Sequence, residues 1–344
     1  MRKIQMVDLK SQYQRLKTEI DANIQEVLDH TSFIKGPAVH AFEKELAEYL
    51  GVKHVIGCAN GTDALQIAMM ALDLPSGSEV ITPSFSYAAL VEVIYLLKLK
   101  PVYIEVERDT FLMDPEKLED LITENTSLIA PVHLYGQCAN MEAINAIAKK
   151  HKIKVIEDTA QAIGASYTMQ NGDIYSAGTM SDIGTTSFFP SKNLGCFGDG
   201  GAVMTNNDEL ARIMRMVANH GQSKKYVHQI IGLNSRLDSI QAAVLRVKLK
   251  NLKDFENARN KVAMHYDKNL ERFPLQVPNR VSNSTHVFHQ YTIRLDHIED
   301  RNKLKEYLAE NDITSMIYYP IALHKQKAYF QNNILNTTDD LCDR

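Results

Sequence analysis

What the 344-residue chain lacks narrows it before any motif is read. It has no basic excess. The 38 lysines and arginines against 42 aspartates and glutamates give a formal net charge of −4, which leaves no positive field for nucleic acid or an anionic membrane. Cysteine is scarce and scattered: Cys58, Cys138, Cys196 and Cys342 stand far apart. With no CxxC pair and no Cys/His cluster, a disulfide framework and a structural zinc site are both disfavoured, and reduced thiols in a cytoplasm are expected. The opening MRKIQMVDLKSQYQ has no apolar core of a signal peptide. No apolar run reaches membrane-spanning length; even Ala88–Leu97 is interrupted by Glu92. Internal repeats and low-complexity tracts are missing too. What is there, 44% apolar and 23% charged residues, suits a soluble cytoplasmic chain of enzyme size, with one large domain and a smaller one.

Helical spacing of Leu16, Ile20, Ile24, Val27 and Leu28 predicts a helix over Ser11–His30. Pro37 then suits the first turn of a second helix, which ends at Gly51. From there short apolar runs alternate with helical patterns. Strands are expected at Val55–Ala59, Glu79–Thr82, Pro101–Glu105, Leu128–Val132 and Lys154–Glu157. Helices are expected at Asp63–Leu72, Tyr87–Leu97, Pro115–Ile122 and Met141–His151. Such alternation predicts an α/β fold with a mainly parallel sheet between helices and a ligand site outside the carboxyl ends of the strands. Long helices follow at Asp208–Asn219 and Asp238–His265. The texture then becomes loop-rich, with strand-like Tyr291–Leu295, a charged helix Glu299–Asn311 and strand-like Thr314–Tyr319. The domain division expected is 1–250 and a smaller α+β segment, 251–344.

Four features fall at the ends of these strands. Cys58-Ala59-Asn60-Gly61-Thr62 ends a strand and starts a helix at once, so backbone amides and the Thr62 hydroxyl could hold a phosphate, or merely cap the helix. Ile156-Glu157-Asp158-Thr159-Ala160-Gln161 ends a strand in two carboxylates; Asp158 there needs a cationic or hydrogen-bonding partner, for which a pyridinium nitrogen is suitable. Pro83-Ser84-Phe85-Ser86-Tyr87 offers an aromatic face for a planar ring, although aromatics are more often core. The stretch Thr185–Thr205, TTSFFPSKNLGCFGDGGAVMT, reads as strand, lysine-bearing loop, tight Asp199-Gly200 turn and strand. Alone, Lys192 reads more readily as a solvated surface residue than as a Schiff-base amine. With a phosphate cradle, a carboxylate and an aromatic plane beside it, it completes the set that pyridoxal 5'-phosphate demands. No His or further carboxylate is spaced to complete a metal shell.

The strings CANGTDAL, EDTAQA, SFFPSKNLG with GDGGA, and GLNSRLD with QAA, in this order, resemble the DegT/DnrJ/EryC1/StrS family of pyridoxal-phosphate-dependent nucleotide-sugar aminotransferases of fold type I. FIKGPAV and YYPIALHKQKAY match further family blocks, and the resemblance runs from about Met6 to Phe330. It implies that Lys192 forms the Schiff base, Asp158 pairs with the pyridine nitrogen and Gln161 lies near the ring's phenolic oxygen. It implies phosphate contacts from Gly61, Thr62 and Ser187, a stacking ring from Tyr87, and Asn234 donated by the neighbouring subunit of a homodimer with shared active sites. Lys35, Arg236, Tyr318, Tyr319 and His324 match positions near the sugar nucleotide. The family's PLH triplet is Ala322-Leu323-His324 here. Relatives continue for another helical segment beyond Arg344, so a truncated C-terminus is expected.

The activity implied is ping-pong transamination. Lys192 shuttles a proton, L-glutamate gives the amino group and a keto-sugar nucleotide receives it. The motifs most resemble the branch that aminates C3 of UDP-2-acetamido-2-deoxy-3-oxo-glucuronate, for surface polysaccharide such as lipopolysaccharide O-antigen. A 4-keto or dTDP- or GDP-linked sugar, or a non-catalytic regulator on the same fold, are the alternatives. Arg236 could pair with a uronate carboxylate, yet relatives without that carboxylate carry it too. The family's sugar 3-dehydratases replace the lysine by histidine, which Lys192 argues against. An amino-acid aminotransferase would want a C-terminal arginine for the α-carboxylate, and after Arg301 only Arg344 remains.

Overall fold

The computed structural model describes residues 4–295, 297–332 and 335–342. Two helices come first, α1 (Leu9–His30) and α2 (Pro37–Leu50). Leu16, Ile20 and Val27 of α1 are buried along one stripe, as their spacing requires. Pro37 opens α2, and Gly51 closes it at φ 70 with its N–H on the Ala47 carbonyl, a left-handed cap that glycine takes without strain.

The sheet strands and their covering helices then alternate. In chain order they are β1 (His54–Cys58), α3 (Gly61–Ala71), β2 (Glu79–Pro83), α4 (Ala89–Leu96), β3 (Lys100–Ile104), β4 (Thr126–Ile129), α5 (Met141–His151) and β5 (Lys154–Asp158). A small hairpin, β6 (Ser166–Thr168) and β7 (Ile174–Ser176), precedes β8 (Ile183–Ser187) and β9 (Gly201–Thr205). The seven-stranded sheet has the order β1-β9-β8-β5-β4-β2-β3. Every strand is parallel to the others except β9, which runs antiparallel between β1 and β8. β2 and β9 are buried along their whole length, the signature of a sheet covered on both faces. One face packs Ile56, Ile81, Ile129 and Ile156 against α3 and α4; the other packs Val55, Ala202 and Met204 against α2 and the helix α7 described below. Each of the isoleucines, Val55 and Met204 contributes about 1.5–3 kcal/mol, so the sheet is a rigid platform.

The chain continues through α6 (Asp208–Val217), a β10–β11 ribbon (Gln222–Lys224, Val227–His228), α7 (Ser239–Lys250), α8 (Leu252–Leu270), α9 (Ile298–Glu310) and α10 (Asn336–Cys342). Four expectations need correction. Residues 238–265 are two helices, because the Asn251 amide turns back to the Val247 carbonyl at 3.0 Å and ends the first. Pro115–Ile122 forms two 3-10 turns, Leu118 being its one fully buried anchor; a single anchor does not offset helix nucleation. Tyr291–Leu295 and Thr314–Tyr319 form no strand among the described residues, because neither finds a neighbouring strand: Arg294 makes an isolated bridge with Gln276. Finally, Asp199-Gly200 is not the tip of a tight hairpin. β8 stops at Ser187, paired with Gly201, and residues 188–200 form one loop between them. The missed β6–β7 hairpin did carry a signal, Asn171-Gly172 with Gly172 at φ 90.

Candidate active site

The register brings the four sequence features to one edge of the sheet. Cys58 of β1 lies opposite Gly201, Gly201 opposite Ser187, and Asp158 opposite Thr185. The carboxyl ends of β1, β2, β5 and β8 therefore share one rim, together with the loop that carries Lys192.

At β1, Asn60 caps α3: its side chain accepts from the Asp63 N–H at 2.8 Å, and its carbonyl accepts from the Ala64 N–H at 3.0 Å. That leaves the Gly61 and Thr62 amides as the free donors of the first turn, at its positive dipole end. A Cβ on Gly61 would stand 2.6 Å from Ser187 Cβ and 3.1 Å from Ser187 Oγ. The two phosphate candidates are thus in contact, and only glycine leaves the approach open. Thr62 is half-buried beside them.

At β5, the two carboxylates part company. Glu157 is fully buried and accepts from His133 Nε2 at 3.0 Å, Gly178 N at 2.9 Å, Met180 N at 2.8 Å and Ser181 Oγ at 2.9 Å. His133 Nδ1 accepts from the Ala139 N–H, so the ring proton sits on Nε2 and donates to Glu157. Asp158 instead faces the open rim. One of its oxygens accepts from the Ala160 N–H at 2.9 Å, and the other meets no protein donor among the described residues. Burial raises its pKa; the Ala160 amide, Lys192 and His133 oppose that. Burial likewise lowers the pKa of Lys192, against the pull of Asp158. Both shifts have one meaning: desolvation outweighs the attraction between two groups that do not touch. The Lys192 amine makes no hydrogen bond or ion pair among the described residues, while its own N–H is held by the Phe189 carbonyl at 2.8 Å. Lowering an amine's pKa by burial favours the form that acts as nucleophile and base.

Around this pair, Tyr87 is 65% exposed beyond β2, its ring free to stack. Gln161 accepts from Tyr135 N at 2.8 Å and donates to the Tyr319 hydroxyl at 3.2 Å. Tyr135 in turn donates to the Tyr318 carbonyl at 2.6 Å, so Gln161, Tyr318 and Tyr319 form one network. Lys35 and Arg236 are also brought together: burial, then Arg236 and Arg215, lower the Lys35 pKa. Their loops are sewn to each other by Gly36 N on Ser239 Oγ and to β1 by Ala59 N on Ser235 Oγ. Asn234 is exposed on the outer side of that segment. His324 is placed differently from its expectation. It is 1% exposed, with Nδ1 2.7 Å from Ser84 Oγ and its N–H on the same hydroxyl. It pins the loop that presents Tyr87, and no atom of it is open to a sugar.

Sequence reasoning missed His289. Its Nδ1 is buried without a hydrogen-bond partner among the described residues, and burial, Lys192 and Arg259 hold its pKa well below the imidazole range. It also missed Asn193, which ties the loop to the Val287 carbonyl at 3.0 Å. Both placements depend on chain nearly a hundred residues apart, for which no local pattern exists. A surface recess of about 750 Å³ between α2 and the start of β1 lies away from this rim and includes none of these groups. A smaller recess of about 100 Å³ adjoins Phe85, Tyr318 and Tyr319.

An unpartnered amine, a carboxylate with a spare oxygen, two free helix-start amides against a serine hydroxyl, and an open aromatic ring fit pyridoxal phosphate group by group. Fold and site define a pyridoxal-phosphate-dependent aminotransferase of fold type I. The chain belongs to the DegT/DnrJ/EryC1/StrS aminotransferase family, which it matches over residues 14–344. It is 47% identical over 325 residues to the UDP-2-acetamido-2-deoxy-3-oxo-D-glucuronate aminotransferase of Pseudomonas aeruginosa, covering 94% of this chain and 88% of that one. It is 45% identical over 329 residues to a pleiotropic regulatory protein of Geobacillus stearothermophilus, covering 95% and 86%. Among solved structures, S. venezuelae DesV in complex with a ketimine intermediate superposes with a TM-score of 0.94 at 37% identity, covering 99% of this chain and 91% of that one.

Proposed function

We propose that this aminotransferase moves the amino group of L-glutamate to the C3 carbonyl of a UDP-linked 3-keto sugar of the 2-acetamido-glucuronate type, and that it works as a homodimer. The observation that carries the catalytic reading is the Lys192 amine, unpartnered and desolvated at the strand rim that Asp158 and Gly61 share. The cofactor supplies the electron sink for transamination; the chain's own residues do the rest. Lys192 would hold the cofactor through its amine and would serve as the base that takes and returns the substrate proton. Asp158 would pair its spare oxygen with a cationic ring nitrogen. Gly61, Thr62 and Ser187 would hold the phosphate at the α3 start. Tyr87 would stack on the ring, and Gln161, set by its Tyr135 and Tyr319 hydrogen bonds, would lie near its phenolic oxygen. Lys35 and Arg236 offer paired positive charge for a diphosphate or a uronate, with Tyr318 and Tyr319 beside the sugar. Asn234, exposed here, reaches the partner's phosphate. His324 acts through Ser84 rather than on the substrate.

The uronate reading follows the similarity to the Pseudomonas aeruginosa enzyme. Against a purely regulatory role stand the intact Lys192 and Asp158, which such a role does not need. The test is a two-step assay on reconstituted protein: 2-oxoglutarate release from glutamate alone, then amination of a panel of 3-keto and 4-keto sugar nucleotides. Turnover confined to UDP-linked 3-keto sugars and lost in Lys192→Ala is the expected result. Wild-type protein that takes up cofactor yet releases no 2-oxoglutarate refutes the activity.

A further inference from the structure

α7 reaches the Lys192 loop from beneath with a charged side chain that none of the chemistry above uses. Lys248 is 1% exposed, and no carboxylate pairs with it among the described residues. Its Nζ donates to the Gly195 carbonyl at 2.6 Å and sits 4.7 Å from the centroid of the Phe197 ring. Gly195 lies where the loop doubles back, since a Cβ there would meet the Pro190 carbonyl at 2.4 Å. The same helix holds the loop again about two turns earlier, through Gln241 Oε1 accepting from Phe197 N at 2.8 Å. The Cys196 thiol donates within the loop to the Phe188 and Gly198 carbonyls. Lys192 is therefore carried on a short turn whose far limb is fastened to α7 by the Lys248 ammonium and the Gln241 side chain.

We propose that Lys248 is a positioning residue for Lys192: its ammonium holds the Gly195 carbonyl and sets the loop, and loss of its proton slackens that hold. This rests on Lys192 being the catalytic amine. Burial pushes Lys248 down to about 8, the Cys196 thiol pulling weakly the other way. Its titratable neighbours lie on α1, α2, α8 and the loop itself. Burial raises Cys196 to about 11. Tyr13 of α1, edge-on to Phe197, gives its hydroxyl to Asp21. Glu45 of α2 is paired with Arg246, and Asp254 of α8 with Arg15. Asp199 of the loop acts on Cys196. A charge-assisted bond replaced by a neutral one weakens the anchor roughly tenfold.

The experiment follows hydrogen exchange of the Cys196 and Phe197 amides, corrected for intrinsic rate, and the pH profile of kcat, in wild type, Lys248→Arg and Lys248→Met. Expected in wild type is a roughly tenfold fall in protection between pH 7 and 9, with an alkaline limb of kcat centred near 8. Lys248→Arg, a cation that does not titrate there, loses both, and Lys248→Met is poorly protected at every pH. Protection in wild type that is flat from pH 7 to 9 overturns the proposal without needing either variant to fold. An alkaline limb unchanged in Lys248→Arg overturns it equally. Exchange reads the loop even in apoprotein, so failure of the Lys192 assignment shows as intact pH-dependent protection with no turnover.

Discussion

Glu157 and Asp158 are neighbours on one strand, yet their substitution should have opposite consequences. Glu157 gathers four donors at 2.8–3.0 Å inside a fully buried site. Replacing it by leucine removes the acceptor and leaves each donor unpaired, at about 1–3 kcal/mol apiece. Partial relaxation brings the expected loss to roughly 4 kcal/mol, a large fraction of a domain's stability. Asp158 has a raised folded pKa, so the stability it contributes is present below its unfolded value of 3.8 and is lost as pH rises through the folded value. An ionised carboxylate at this position is therefore a cost in the apoprotein. Asp158→Asn removes that cost and keeps an oxygen for the Ala160 amide, so apoprotein stability should rise slightly or stay within ~1 kcal/mol. Activity should fall by about 10²–10⁴-fold, the range for loss of a proton-controlling group. Urea unfolding at pH 7 with and without cofactor checks both arms. Cofactor should stabilise the wild type more than Asp158→Asn, because only the carboxylate pairs with a cation. A Glu157→Leu loss below 1 kcal/mol, or an apoprotein made much less stable by Asp158→Asn, would refute this division of labour.

Two smaller tests address the cofactor cradle. Gly61→Ala should weaken cofactor binding at least tenfold in absorbance titrations while apoprotein Tm changes little. Helix propensity favours alanine by about 1 kcal/mol, and the cost falls on Ser187, 2.6 Å from the new Cβ; wild-type affinity would show that the cradle is elsewhere. Tyr87→Ala should leave stability within about 0.5 kcal/mol, since the ring is 65% exposed, but raise the cofactor dissociation constant roughly tenfold through lost stacking. Tyr87→Phe should restore binding, and equal affinity in all three proteins would remove Tyr87 from the site.

Local chemistry was legible in the chain wherever one segment settles its own structure. Pro37 and Gly51 bound α2, Met141–His151 is a helix with the expected ends, and the apolar runs from Val55 to Glu157 are the parallel strands. It failed where the deciding partner is remote. Thr314–Tyr319 has strand-like residues but finds no neighbouring strand among the described residues, and its Tyr318 carbonyl goes to the Tyr135 hydroxyl; the Asn251 side chain breaks a helix that its charged neighbours would continue. The site divides the same way. That Lys192 lies on a loop at a strand end can be read locally; that it is desolvated, with Asp158 near and His289 beside it, cannot. The sequence EDTAQA offers two acids of equal promise, and what separates them is saturation. Glu157 has every lone pair occupied by His133, Gly178, Met180 and Ser181, while Asp158 keeps an oxygen open to the rim. The Lys192 amine, one Asp158 oxygen and the Gly61 and Thr62 amides are all groups the fold has desolvated or ordered without supplying a partner among the described residues. Such a group costs stability, and its persistence at one rim is intelligible when a bound molecule completes it. Being incomplete is a property of the neighbours, which is why composition and spacing could nominate these residues but only the packed chain could separate them from Glu157.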